Sequence, residues 1–361
     1  MKIVHILSCA PFGGTESQCE WLALALHGAG VAQRIILAGD SERISRLSKA
    51  GVDVVEMELK GLLGFLVRRK IEAELGRFAP DIVLSWRPDV SSLVTAGSFA
   101  HIGRLPAQFD IKAYHGCTGL LAPSKGRADA AVAAGWAADK IIQLPNLPSP
   151  AGPRGDVAPF ERRKLFTPAT AKIVFSAGRL EKSKSFDVLI DAVARLSGVY
   201  LWIAGDGPDR AAFEAHALNR GIKPRVRFLG WQEDLRPYFA ASDLFVYPAK
   251  QEDLGDAVVE AWQAGVPVIA ADSIGPGLLI RHQENGVLVP VGDAVAMADA
   301  ITWLLGDRRA AKDLGLAGRA AFERDFAHEH VVKRYHDAFA AVCKTPDPPV
   351  APAPSAPAES A

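Results

Sequence analysis

Two α/β domains, each built on a parallel sheet, are what this sequence predicts, on three observations. Short apolar, β-branched runs alternate with helical patterns along nearly the whole chain, the rhythm of βαβ units. The alternation breaks once, over 149–170, where Pro, Gly and charged residues dominate, and then resumes. At 361 residues the chain exceeds one ordinary domain and suits two of roughly 150 residues each.

Taken in order, the first series of strands is KIVHIL (2–7), QRIILA (33–38), VDVVEM (52–57), DIVLSW (81–86) and GLLAPS (119–124). ESQCEWLALALHGAG (16–30) reads as a helix, because Trp21, Leu22, Leu24, Ala25 and Leu26 form an apolar stripe that ends at Gly28 and Gly30. GLLGFLVRRKIEAEL (61–75) reads as a second helix, with Leu62, Leu63, Phe65 and Leu66 beside basic Arg68, Arg69 and Lys70. Such a helix suits either packing on its own domain or peripheral contact with an anionic membrane face. Residues 1–150 carry 16 Lys and Arg against 14 Asp and Glu, too even a balance to favour the membrane. ADKIIQLPNLP (138–148) then leads into the linker. The second series runs AKIVFSAG (171–178), VYLWIAGDG (199–207), RVRFLGW (225–231), DLFVYPA (243–249) and GVPVIAAD (265–272). HEHVVKRYHDAFAAV (328–342) is a closing helix, and the Pro/Ala-rich tail has nothing to bury and is expected to be disordered. The expected domains are 1–148 and 171–327, joined by a linker 149–170 and followed by a helix 328–343 and a tail 344–361.

Composition sets outer bounds. With 49% hydrophobic and 23% charged residues the chain is globular, and a net charge of zero gives no pointer to nucleic acid. Cys9, Cys19, Cys117 and Cys343 lack metal-ligand spacing and read as reduced, packed thiols of a cytoplasmic protein. MKIVHILSCA has an apolar run too short for a signal peptide, interrupted by His5, and reads as a first strand. No run of 18 apolar residues predicts a membrane span.

The chemistry-bearing residues cluster in a few places. Glu252 and Glu260 lie eight apart in EDLGDAVVEAWQAGVPVIA (252–270), where a helix over 256–264 is expected to open at Asp256 as N-cap, just after Gly255. A helix start offers free N–H groups to a phosphate, and ionised carboxylates accept hydrogen bonds from sugar hydroxyls. The same spacing equally suits two solvated glutamates. Arg179 and Lys184 lie around the turn after a strand ending at Gly178. The first brings a planar fork and the second a mobile point charge, both suited to phosphate. Gly13 and Gly14 follow a strand and precede a helix that starts near Thr15, so they read as a ligand loop or a tight turn. That loop is neither a Walker loop nor G-x-G-x-x-G. No D-x-D stands in a strand-end context, so no metal is expected on a diphosphate.

E-x7-E followed by A-x-x-A-G-x-P-V, the Gly13-Gly14-Thr15-Glu16 loop, SAGRLEKSKSFDVLIDA (176–192), AGDGP (204–208), VRFLGW (226–231) and GPGLLIRHQENGVLVPVGD (275–293) occur in one fixed order. Together, over about residues 1–343, they resemble the family 4 retaining glycosyltransferases, glycosyl transferases group 1, which have the GT-B fold of two facing Rossmann-like domains with a cleft between them. The resemblance implies a hexosyltransferase that needs neither cofactor nor metal and works on a UDP- or GDP-linked sugar. It assigns Arg179 and Lys184 to the diphosphate, Glu260 to the ribose hydroxyls and Glu252 to the sugar hydroxyls, with Arg179, Lys184 and Glu252 as the catalytic set. Gly13, Gly14, Gly178, Gly255 and Asp256 join the donor loops. Leu229, Gly230 and Trp231 lie beside the base, Trp231 either stacked on it or in the core. The acceptor is expected to be a glycan or lipid-linked glycan of envelope polysaccharide or lipopolysaccharide synthesis, with Arg104 as its contact and His5, His101 and His115 without catalytic roles. Ser185 stands where the family usually has Gly after the lysine. That departure keeps open a catalytically silent nucleotide-sugar binder, and a nucleotide-sugar epimerase of the same fold is the other alternative.

Overall fold

The computed structural model describes residues 1–8, 14–59, 64–148, 157–252 and 254–344. The chain divides into two compact units, one of Met1–Pro145 with the segment from Val332 onward, the other Asn146–Val331.

Among the described residues the first unit holds seven strands: β1 (Lys2–Leu7), β2 (Ala32–Leu37), β3 (Asp53–Glu56), β4 (Ile82–Ser85), β5 (Ala100–Arg104), β6 (Gly119–Ala122) and β7 (Ile141–Gln143). They pair in parallel in the order β3-β2-β1-β4-β5-β6-β7, with Lys2 opposite Ala32 and Ile3 opposite Ile82. Strands β5 and β7 were not expected. β5 reads AHIGR, and its His101 and Arg104 disguise a strand that is buried along most of its length. His101 is accommodated by a hydrogen bond to Ser85 Oγ at 2.9 Å, and burial pushes its pKa down to about 4, so it is neutral. His5, in the interior strand β1, is likewise buried and lowered to about 4, bonded to Gln33 and accepting from Trp86 Nε1. The helix Gly64–Phe78 buries Ile71 and Leu75 and leaves Phe65 60% exposed, while Leu62 and Leu63 lie outside the described residues. In the terminal helix His328–Lys344 the Tyr335 hydroxyl donates to the Pro145 carbonyl at 3.0 Å. Cys19 and Cys117 are buried thiols, whereas Cys343 is exposed, contrary to expectation, because it falls on the outer face of that helix; Cys9 lies outside the described residues.

Among its described residues the second unit has six parallel strands: β8 (Lys172–Ala177), β9 (Val199–Ala204), β10 (Val226–Gly230), β11 (Leu244–Tyr247), β12 (Val268–Ala271) and β13 (Val287–Val289), in the order β10-β9-β8-β11-β12-β13. β13, three residues inside ENGVLVPVGD, was too short to show as a separate run. Alternate residues of β8 face opposite cores: Val174 packs with Leu201, Ile203 and Val246, and Ile173 and Phe175 pack with Trp202, Phe245 and Trp262. Phe160 stacks on Tyr238 at 4.7 Å and Leu165 packs against the same core, so part of the stretch expected as linker belongs to this unit. Among the described residues no helix is long and apolar enough to cross a membrane.

Candidate functional site

The strand order reverses between β8 and β11, so the loops leaving their C-terminal ends run to opposite sides and leave a crevice, the usual ligand position in an open parallel sheet. Arg179 and Lys184 leave β8, and Glu252 leaves β11. The two loops are tied by backbone bonds from Lys250 N and Gln251 N to the Ser183 carbonyl. The structure brings Lys184 and Glu252 together: Nζ meets Oε2 at 2.7 Å, with the two side chains only 17% and 11% exposed. The Tyr247 hydroxyl donates to the same Oε2 at 2.5 Å, and Leu254 N donates to Oε1 at 3.1 Å. Burial alone pushes the Glu252 carboxyl up, but Lys184, Tyr247 and the Leu254 amide outweigh it and hold the group below the ordinary carboxylate range. Arg179 stands apart, exposed and paired with Glu181 at 3.2 Å.

The backbone of this edge is an interlock of glycines. Gly178 N bonds the Ala204 carbonyl, Leu180 N the Asp206 carbonyl, and Gly205 N the Gly230 carbonyl. A Cβ on Gly205 would sit 1.9 Å from the Gly178 oxygen, and one on Gly207 would lie 2.4 Å from the Leu180 oxygen. Ser185, in the place of the family's glycine, itself adopts the left-handed conformation at φ 51°, so the turn keeps the shape a glycine would give it.

The helix Asp256–Gln263 corrects one expectation. Its N-cap is Gly255, left-handed at φ 74°, and Asp256 is the first helical residue. The Asp256 side chain accepts instead from Asn146 Nδ2 at 2.7 Å, so the helix start has no side-chain cap. The φ of Gly255 lies in the left-handed region that L side chains rarely adopt, which favours glycine there, whereas Leu279 Cδ1, 2.7 Å from an added Cβ, is a flexible side-chain end that can shift. Glu260, one turn in, makes no hydrogen bond or ion pair through its carboxyl among the described residues. Desolvation, with Asp256 and then Asp234 adding like charge, pushes its pKa up to about 8.

Of the remaining expected residues, Leu229 is half-buried against the core at the end of β10, Gly230 is left-handed at φ 70°, and Trp231 is 43% exposed, which rules out the core reading for it. In the first unit Gly14 opens the helix Gly14–Gly28, and Gly13 lies outside the described residues. Arg104 is buried, its guanidinium 5.3 Å from the Trp86 ring. Sequence reasoning missed Tyr247 and Asp234. A tyrosine closing an apolar strand gives no sign that its hydroxyl will reach a carboxylate five residues on. Among the described residues no cluster of His, Cys, Asp and Glu is arranged to hold a metal.

Comparison with known proteins points one way. A family model described as Glycosyl transferases group 1 matches residues 157–321. The lipopolysaccharide core biosynthesis glycosyltransferase LpsE of Rhizobium meliloti (strain 1021) is 34% identical over 93% of this chain and 98% of its own length. LpsD of the same strain, of the same description, is 32% identical over 94% and 98%. In structure the chain is similar to Anabaena HepE, solved in complex with UDP and glucose, with a TM-score of 0.80 and 21% identity over 94% of this chain and all of that one.

Proposed function

Since this chain belongs to the glycosyl transferases group 1 family and has the GT-B fold, we propose that it moves a hexose, with retention, from a nucleotide sugar to a lipopolysaccharide-core glycan. That it is a glycosyltransferase follows from the family; the hexose, the retention and the acceptor are our reading. The observation that carries the donor half is the meeting of the β8 and β11 loops. There Lys184 meets Glu252, and the helix that follows the β11 loop starts without a side-chain cap.

In this reading the diphosphate lies against Lys184, Arg179 and the amides after Gly255. Arg179 is available, because an exposed pair such as Arg179–Glu181 is worth only about 0–1 kcal/mol. Glu260 accepts from the ribose hydroxyls and Glu252 meets the sugar. Gly178, Leu229, Gly230 and Trp231 border the base. Charge that builds on the departing diphosphate is met by the two cations and the helix start, with no metal. Retention then needs no nucleophile from the protein, the donor phosphate itself helping to deprotonate the incoming hydroxyl. The lipopolysaccharide-core acceptor is supported by the roles of LpsE and LpsD, and a UDP-linked donor, with GDP as the alternative, by the ligand of HepE. Exposed Phe65 and Leu66 beside Arg68, Arg69 and Lys70 suit peripheral contact with an anionic membrane face, where a lipid-linked acceptor resides.

A thermal-shift screen against UDP, GDP, ADP and their sugars tests the donor half. A ligand at a hundred times its Kd stabilises by about 2.7 kcal/mol, a readily measured rise in Tm. If no nucleotide raises Tm, the donor assignment is wrong.

A further inference from the structure

In the folded chain Lys184 already has a partner. Its Nζ lies 2.7 Å from Glu252 Oε2 in a mostly buried pair, so a diphosphate that takes the lysine leaves a buried carboxylate behind. Losing one partner of a buried pair is strongly unfavourable unless other donors remain. Two do. The Leu254 amide holds Oε1, and the Tyr247 hydroxyl holds Oε2, the oxygen the lysine would vacate. The main chain at Glu252 is fixed separately, with Gly275 N donating to its carbonyl at 2.7 Å. The Tyr247 ring is buried and stacks on Phe245 with centroids 6.2 Å apart, so the hydroxyl is aimed by packing rather than by solvent.

We propose that Tyr247 is a positioning residue for sugar transfer: its hydroxyl holds the Glu252 carboxylate ionised and aimed once the donor diphosphate has drawn Lys184 away. This rests on the assignment of Lys184 to phosphate and of Glu252 to the sugar. The order of events is an exchange of partners. Lys184 passes from carboxylate to phosphate, Tyr247 and Leu254 stay, and the freed lone pair on Oε2 faces the incoming sugar hydroxyls. Tyrosine suits the task because its ring fills the strand end while its one polar atom supplies a donor.

The test follows Glu252 directly, by carbon-13 NMR of the full chain labelled at the glutamate carboxyl carbon, the Glu252 signal being the one absent from Glu252→Gln. Tyr247→Phe keeps the ring and removes the donor, and Lys184→Met imitates the lysine's departure. The expected result is an upward move of the Glu252 titration midpoint in each single variant and a larger one in the double variant. A midpoint in Tyr247→Phe equal to that of the wild type overturns the proposal. Adding UDP or GDP, whichever the thermal screen selects, should move the Glu252 signal in the wild type, as the lysine leaves. With the corresponding sugar nucleotide, Tyr247→Phe should turn over at least about tenfold more slowly, the low end for a hydrogen bond to a charged group. Its Kd for the bare nucleotide should stay within about twofold of the wild type. The titration without added nucleotide needs no ligand, so it stands if the donor assignment fails. Absent nucleotide binding in the wild type would overturn that assignment alone.

Discussion

Glu260 shows how one side chain carries opposing demands. A glutamate in water loses its proton near pH 4.3, whereas Glu260 in the folded chain keeps it to about pH 8. Between those values the folded state binds more protons than the unfolded state, so stability falls as pH rises through that window. Glu260→Gln removes the slope. In urea its unfolding midpoint should match the wild type at pH 5 and exceed it at pH 9. The same variant should bind UDP or GDP more weakly above pH 8, where Glu260 is ionised and offers acceptors only, whereas the amide keeps a donor at every pH. A pH dependence of stability unchanged by the substitution would remove Glu260 from its enclosed setting. Arg179 makes a simpler case. It is exposed and released at little cost, so Arg179→Ala should weaken nucleotide diphosphate binding by about 1.5–3 kcal/mol, the range for a charge-assisted hydrogen bond. Arg179→Lys should recover only part of this, since an ammonium lacks the fork. Calorimetric titration with the nucleotide that equals the wild type in Arg179→Ala would exclude the residue from the site.

Among elements, the strand-end turns are held backbone against backbone. Gly205 allows the turn after β9 to touch the turn after β8, and its own φ of 130° is one that other residues rarely adopt. Gly205→Ala should therefore lower Tm and abolish nucleotide binding together, because the clash is with a carbonyl that cannot swing aside. Gly198→Ala is the control: φ is 70° there, with nothing within 4 Å of the added Cβ. It should show backbone strain alone, about 1–2 kcal/mol, with nucleotide affinity kept. Equal effects of the two variants on binding would show that the interlock does not shape the site. Tyr247 and Glu252 illustrate the same dependence on strand ends. The strand DLFVYPA was legible as a strand, but the reach of its last side chain into the following loop was not.

For the whole molecule, charge is the governing quantity. The chain is neutral overall, and a bound diphosphate brings about two negative charges, so the neutralisation has to be local. Arg179, Lys184 and the helix start after Gly255 supply it in our reading. Transfer should then survive excess EDTA, with Mg²⁺ and Mn²⁺ changing the rate little. Affinity for the nucleotide should fall as ionic strength rises, since Arg179 is exposed to screening. Loss of activity in EDTA with rescue by Mn²⁺ would show that a metal stabilises the leaving group.

By itself the sequence determined the α/β class, ten of the strands and the lineage of the strand-end motifs, because these depend on short-range pattern: alternation, glycine after a strand, residues at fixed spacing. It did not determine β5, β7 or β13, where buried histidine and arginine or a run of three residues erase that pattern. Only the tertiary structure decided the strand order, and with it the crevice between β8 and β11 that sets Lys184 against Glu252, 68 residues away in sequence. It also decided that Asp256 bonds Asn146 instead of capping its helix, that Arg104 is buried, and that Ser185 takes a glycine's conformation. The physical reason is common to all of these. Local preference acts between near neighbours, whereas a partner for a buried charge, or the absence of one, is settled by which distant chain segments packing brings beside it.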